Sequence, residues 1–110
     1  MESGRLRSDF WVAAQVRRLD REAIPTVVVR RGDPVGGTVL VKVNQLDMGC
    51  RVLSQIWDGE GRPCWMAGLQ GNLVCETEAD AYIARAVMRD PDLWVIEIED
   101  RAGRHALDGR

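Results

Sequence analysis

The chain has 110 residues, 45% of them apolar and 29% charged, a length and balance that suit one globular domain and exclude two. A chain of this size buries roughly two-thirds of the surface its unfolded form exposes, which is enough for one core without disulfides or a structural metal. Fifteen basic against seventeen acidic residues leave a net charge of −2, which argues against a nucleic-acid or membrane partner as the main task.

Ser8 or Asp9 is placed to cap a first helix through about Glu22. At helical spacing Val12, Val16, Leu19 and Ala23 form its apolar stripe, with Arg17, Arg18 and Arg21 across from it. Pro25 closes the helix, and the β-branched run Val27-Val28-Val29 reads as a buried strand. Gly32-Asp33-Pro34-Val35-Gly36-Gly37 is turn chemistry, with glycines able to take positive φ, and leads into an alternating strand from Thr38 to Val43. So short a link implies an antiparallel pair. A third strand is expected over Arg51 to Trp57, a turn over 58–63, and a fourth strand from Cys64 to Leu69. Thr77 with Asp80 resembles a capping box opening a helix through Arg89, with Ala79, Tyr82, Ile83, Ala86 and Val87 as its apolar stripe. Asp90-Pro91 ends it, and Leu93 to Ile98 reads as a last strand, apolar on both faces through Ile96.

The expected fold is therefore α+β in the order α-β-β-β-β-α-β: an antiparallel four-strand meander plus a C-terminal strand, with both helices on one face. The domain is single over 1–110, with an ordered core over about 5–100 and a polar tail over 101–110. No apolar stretch approaches the roughly 20 residues of a spanning helix. Met1 to Phe10 lacks the apolar region and cleavage site of a secretory leader, so the chain is read as cytoplasmic. Cys50, Cys64 and Cys75 are odd in number, lack zinc-site spacing, and read as reduced core residues. No cofactor or metal is implied.

Charge is uneven along the chain: residues 1–31 carry a net +3, 32–75 −1, 76–100 −6 and 101–110 +2. The basic first helix and tail are expected near the acidic second helix and last strand, within one chain or across a dimer.

Several stretches resemble an uncharacterised family of small bacterial proteins, classified only as a domain of unknown function. They are Arg5-Leu6-Arg7 with Phe10-Trp11-Val12, Val29 to Asp33 with Gly37 to Lys42, Glu78 to Arg85, and Arg89 to Arg101 followed by Gly103-Arg104-His105. The segment from Leu46 to Glu76 matches least. The resemblance implies a cytoplasmic bacterial setting and carries no mechanism, catalytic residue or cofactor.

Two sets of residues are candidate sites. Arg30, Arg31, Asp33 and Thr38 flank the Gly-rich turn, where backbone N–H groups beside two guanidiniums suit a phosphate or carboxylate. This is no Walker A loop, because Thr38 stands where lysine is needed and a strand follows. A plain turn with strand-end arginines explains the same residues. Trp11, Arg18, Trp94 and Arg101 combine aromatic and guanidinium groups of the kind enriched at protein interfaces. Plain core packing explains the same aromatics, and nucleic-acid stacking is the weakest reading of that set, given the acidic remainder. Asp80, Glu97, Glu99 and Asp100 offer carboxylates whose separation sequence cannot supply, and His105 has no partner nucleophile in a recognisable motif. With no catalytic motif, the leading expectation is a non-enzymatic interaction module that self-associates or takes a protein partner. The alternative is a small protein or enzyme that binds an anionic ligand through the Arg30–Thr38 loop.

Overall fold

The computed structural model describes residues 6–57, 59–61, 63–105 and 107. Helix α1 spans Ser8–Arg21 and α2 spans Glu76–Arg89; the strands are β1 Thr26–Arg30, β2 Val39–Asn44, β3 Cys50–Trp57, β4 Pro63–Ala67 and β5 Trp94–Glu99. Short 3-10 turns at Leu46–Met48 and Leu69–Gly71 complete the chain order. Asp58 and Arg62 of the expected 58–63 turn, residues 1–5, and residues 106 and 108–110 of the tail lie outside the described residues.

All five strands form one sheet in the order β1-β5-β2-β3-β4. β5 runs antiparallel to β1 and parallel to β2, and β2-β3-β4 is antiparallel throughout. The meander thus holds for its last three strands, and the expected pairing of β1 with β2 does not occur. The sheet is mixed because β5, apolar on successive residues from Trp94 to Ile96, has two faces to bury and so takes a central place between them.

The helices, expected on one face, lie on both. Val39, Val41, Val43, Trp94, Ile96 and Ile98 share one face, under Val12 and Leu19 of α1. Leu40, Val52 and Val95 share the other, under Ala79, Tyr82 and Ile83 of α2. Alternation with period two on doubly buried strands demands a cover on each side, so the helices lie on opposite faces. The basic α1 therefore does not meet the acidic α2 within the chain.

Neither expected cap forms. Ser8 and Asp9 instead donate their backbone N–H groups to the carbonyls of Val35 and Pro34 (3.2 and 3.0 Å), and the Ser8 hydroxyl donates to the Gly37 carbonyl. Loop carbonyls thus satisfy the first turn's free donors. At the other end Ile24 N–H donates to Leu19 O and Ala23 N–H to Asp20 O, a Schellman closure with Ala23 in the left-handed region at φ 61°. On α2 the helix opens at Glu76, ahead of Thr77, and Asp80 is turned to the sheet.

The segment expected to be a polar tail joins the core. Leu107 is 1% exposed within the α1-side cluster, and its carbonyl accepts the Trp65 indole N–H.

Candidate interaction site

α1 lies across its sheet face with two unlike flanks. Toward β4, Trp11 packs on Trp65 with ring centroids 5.9 Å apart. Arg18 donates to the Gln15 side-chain oxygen (2.7 Å) and to the His105 carbonyl (3.4 Å), and lies 3.7 Å from Glu22. The chain returning through His105 to Leu107 thus covers this flank. Toward β1 the flank is open: a cavity of about 390 Å³ lies between α1 and the β1–β5 edge of the sheet. Phe10, Ala13 and Val16 of α1 face Val28 and Trp94 across it, and Arg17 and Arg31 stand at its border.

Trp94 explains the glycines of the 32–37 loop. A Cβ on Gly32 or Gly37 would fall 2.1 or 2.3 Å from the Asp92 carbonyl oxygen and under 3 Å from the Trp94 ring. The two glycines therefore permit close approach and do not serve left-handed turns, since none of Gly32, Gly36 and Gly37 has positive φ. The Trp94 indole donates to the Asp33 carbonyl (2.7 Å), Asp33 N–H to the Asp92 carbonyl (2.9 Å), and Gly36 N–H to the Asp33 carboxylate (2.8 Å). These amides are committed inside the protein, so the loop is a socket for the start of β5, not a cradle of free N–H donors.

The four loop residues separate accordingly. Arg30 donates to the carbonyls of Pro91 and Leu93 (2.9 and 2.7 Å), fastening β1 to the end of the α2–β5 link. Asp33 closes the turn, and the Thr38 carbonyl accepts Trp94 N–H. Arg31 alone borders the cavity, its guanidinium carbon 5.2 Å from the Trp94 ring centroid. Of the aromatic-arginine set, Trp94 is interior at 1% exposure, Trp11 and Arg18 sit on the covered flank, and Arg101 pairs with Asp47 at 2.9 Å.

Beside the cavity runs a free sheet edge. Glu99 N–H donates to the Pro25 carbonyl (2.9 Å), so Pro25 faces β5, and alternation turns Val27 the same way. The N–H and C=O groups of Thr26 and Val28 then point outward, before the register shift between Val28 and Arg30. Val27 and Val29, expected in a buried strand, are 60% and 55% exposed on the α2 side of the sheet. β4, the opposite edge, begins with Pro63, which has no N–H to offer.

The electrostatic centre lies under α2. Lys42 is 4% exposed; its Nζ donates to Glu76 Oε2 (2.7 Å) and Asp80 Oδ1 (2.8 Å) and stands 3.6 Å from Glu97 Oε1. Burial lowers the ammonium's pKa, but the bonds to Asp80 and Glu76 and the charge of Glu97 outweigh it, so the net shift is upward. Two of the carboxylates singled out in the sequence, Asp80 and Glu97, do converge, and they meet across a cation that occupies them. Glu97 also accepts from Asn44 Nδ2 (3.1 Å). Asp100 instead holds Arg104 (2.8 Å), which lowers its pKa to about 2. Burial raises the pKa of the neighbouring Cys50 thiol, which keeps it protonated; Cys75 is exposed.

Sequence reasoning missed Lys42, although a lone lysine in phase with Leu40 inside Val39–Val43 was the available signal. It also missed Arg17 as a cavity residue, which only the position of β1 beside α1 determines.

A family model described as "Protein of unknown function (DUF1491)" matches residues 6–108. The chain is similar to a DUF1491 family protein from Caulobacter crescentus in its crystal structure, with 40% identity over 94% of each chain and a TM-score of 0.80. The NMR structure of a DUF1491 family protein from the same organism gives 42% identity, coverage of 91% of this chain and 90% of that one, and a TM-score of 0.78. The solution structure of protein Atu0922 from A. tumefaciens is 25% identical over 86% of each chain, with a TM-score of 0.74. No curated protein matches. Among the described residues no helix is long and apolar enough to cross a membrane.

Proposed function

From the membership of this chain in the DUF1491 family, described only as of unknown function, and from the geometry of its free edge, we propose a self-associating protein-interaction module without catalysis of its own. The observation that carries this reading is β1: an edge strand with outward backbone groups at Thr26 and Val28 and exposed valines at 27 and 29. Such an edge is a template for another strand. A two-fold axis through Val27 pairs Thr26 of one copy with Val28 of the other, which satisfies all four outward groups. It sets Val27 opposite its own copy in a non-hydrogen-bonded pair, where side chains come closest. The absence of catalysis is argued from Asp80 and Glu97, which are both held by Lys42, at 2.8 and 3.6 Å from its Nζ. That Cys50, Cys64 and Cys75 are joined in no disulfide supports a reducing, cytoplasmic setting.

Sedimentation velocity on charge-swapped variants tests the reading. The wild type is expected to be dimeric at micromolar concentration. Val27→Lys and Val27→Glu are each expected to be monomeric, because like charges would sit directly opposite, and an equimolar mixture is expected to restore the dimer. A wild type that stays monomeric, or a Val27→Lys variant that dimerises as before, overturns it.

A further inference from the structure

We infer that the cavity between α1 and β1 is a binding site for a small amphipathic carboxylate, with the apolar body against Phe10, Ala13, Val16 and Val28 and the carboxylate between Arg17 and Arg31. The volume of 390 Å³ falls in the range of small-molecule sites, which combine a mostly apolar lining with a few placed polar groups.

Three observations select the ligand class. The first is charge. Neither Arg17 nor Arg31, the two cations on the lining, pairs with a carboxylate among the described residues. The one acidic residue on the lining, Asp9, accepts Arg7 Nη2 (3.0 Å) and Phe10 N–H (2.8 Å), and the Arg7 bond lowers its pKa. Its charge is therefore neutralised locally and the border stays positive. The second is preorganisation. The Arg31 guanidinium carbon stands 5.2 Å from the centroid of the Trp94 ring, whose indole is fixed by the Asp33 carbonyl, so the cation is drawn to the border of the cavity before a ligand arrives. A planar guanidinium fork suits the two oxygens of a carboxylate. The third is shape. Backbone bonds from Ser8 and Asp9 to Val35 and Pro34, with the Ser8 hydroxyl on Gly37, tie the start of α1 to the 34–37 loop beside the cavity. The cavity's volume suits a compact molecule better than a polypeptide running through.

The site does not rest on self-association: only Val28 is common to both, its side chain lining the cavity and its backbone facing the proposed dimer contact, and the Val27→Lys titration separates the two. The probe is octanoate, titrated against ¹⁵N-labelled protein and read at the Trp94 indole N–H and the Ala13, Val16 and Val28 amides. Acetate, octanol and an acidic C-terminal peptide serve as comparisons, and the titration is repeated on Val27→Lys. Saturable shifts at those four positions with octanoate are expected in both proteins. Acetate, which lacks the apolar body, and octanol, which lacks the charge, are expected to bind at least about tenfold more weakly. Arg31→Ala is expected to weaken octanoate about tenfold and Arg17→Ala severalfold, and both side chains are exposed, so the fold should survive. Should Arg31→Ala lose the native spectrum, Arg17→Ala and Arg31→Lys carry the test. The proposal is overturned by shifts that fail to saturate, by octanol binding as well as octanoate, by arginine variants that bind like the wild type, or by the peptide binding where octanoate does not.

Discussion

On the flank of α1 that faces β4, Trp11 and Arg18 meet Trp65 and the returning C-terminal segment, whereas on the flank that faces β1, Phe10 and Arg17 border an open cavity. Each flank carries an aromatic residue and an arginine seven positions apart, and the two pairs are offset by a single position in the helix. What separates them is whether another part of the chain comes back to cover them. On the covered side the arginine's donors go to Gln15 and a main-chain carbonyl and the aromatic ring packs against the core; on the open side the guanidinium pairs with no carboxylate among the described residues and the ring stays 57% exposed. Aromatic and arginine content therefore says little about an interface until the topology assigns each residue a flank.

Truncation on either side of α1 should expose this difference. Leu107→Ala removes a side chain that is 1% exposed and should cost about 2–4 kcal/mol, while Phe10→Ala on the open flank should change stability by no more than about 0.5 kcal/mol, both read by denaturant unfolding. Equal costs would mean that the two flanks are packed alike.

A second contrast sets the committed cation against the free ones. Lys42→Met should cost about 1–2 kcal/mol, less than a fully buried pair would, because Glu76 and Asp80 are each 58% exposed and regain water. Since the Lys42 pKa is raised on folding, its contribution is complete below the ordinary lysine value of 10.5 and disappears as pH climbs above it. The stability gap between wild type and variant should therefore narrow only on the alkaline side. Arg17→Ala should show no such gap at any pH.

Ala23 ends α1 for both flanks alike and serves as a control. Its φ of 61° favours glycine, so Ala23→Gly should stabilise the protein by about 0.5–1 kcal/mol and leave octanoate binding unchanged. The smallest effect is expected from Asp100, which holds the Arg104 guanidinium and backbone N–H and so anchors the segment leading to Leu107. Its pKa is lowered from 3.8 to about 2, so its contribution is complete above 3.8 and lost as pH falls through 2. The Trp65 indole resonance should report loosening of the covered flank in that window, and Asp100→Asn should remove that dependence.

Much of this architecture was legible in the residues. The helix-ending Pro25 and Asp90-Pro91, the alternation of β2, and the apolar stripe of α2 all lie where local chemistry puts them. The strand order was not, because the link from β1 to β2 has the composition of a hairpin turn and serves instead to enclose Trp94. The signal that favoured a different order was in β5, whose successive apolar residues require burial on both faces. Arg30 and Arg31 are adjacent and alike in sequence, yet one holds carbonyls of the α2–β5 link and the other borders the cavity. Only the path of β1 across the sheet decides which is which. Leu107, six residues past Arg101 in a charged segment, gives no local sign that it returns to the core.

The central claim is that β1 is an open edge that a second copy fills, and amide hydrogen exchange measured against protein concentration tests it most directly. Val27 N–H, directed to β5, should be protected at every concentration. Thr26 and Val28 N–H should be protected at concentrations where the protein is dimeric and should exchange as open amides on dilution. Exchange at Thr26 and Val28 that is fast and unchanged across that range would contradict the account.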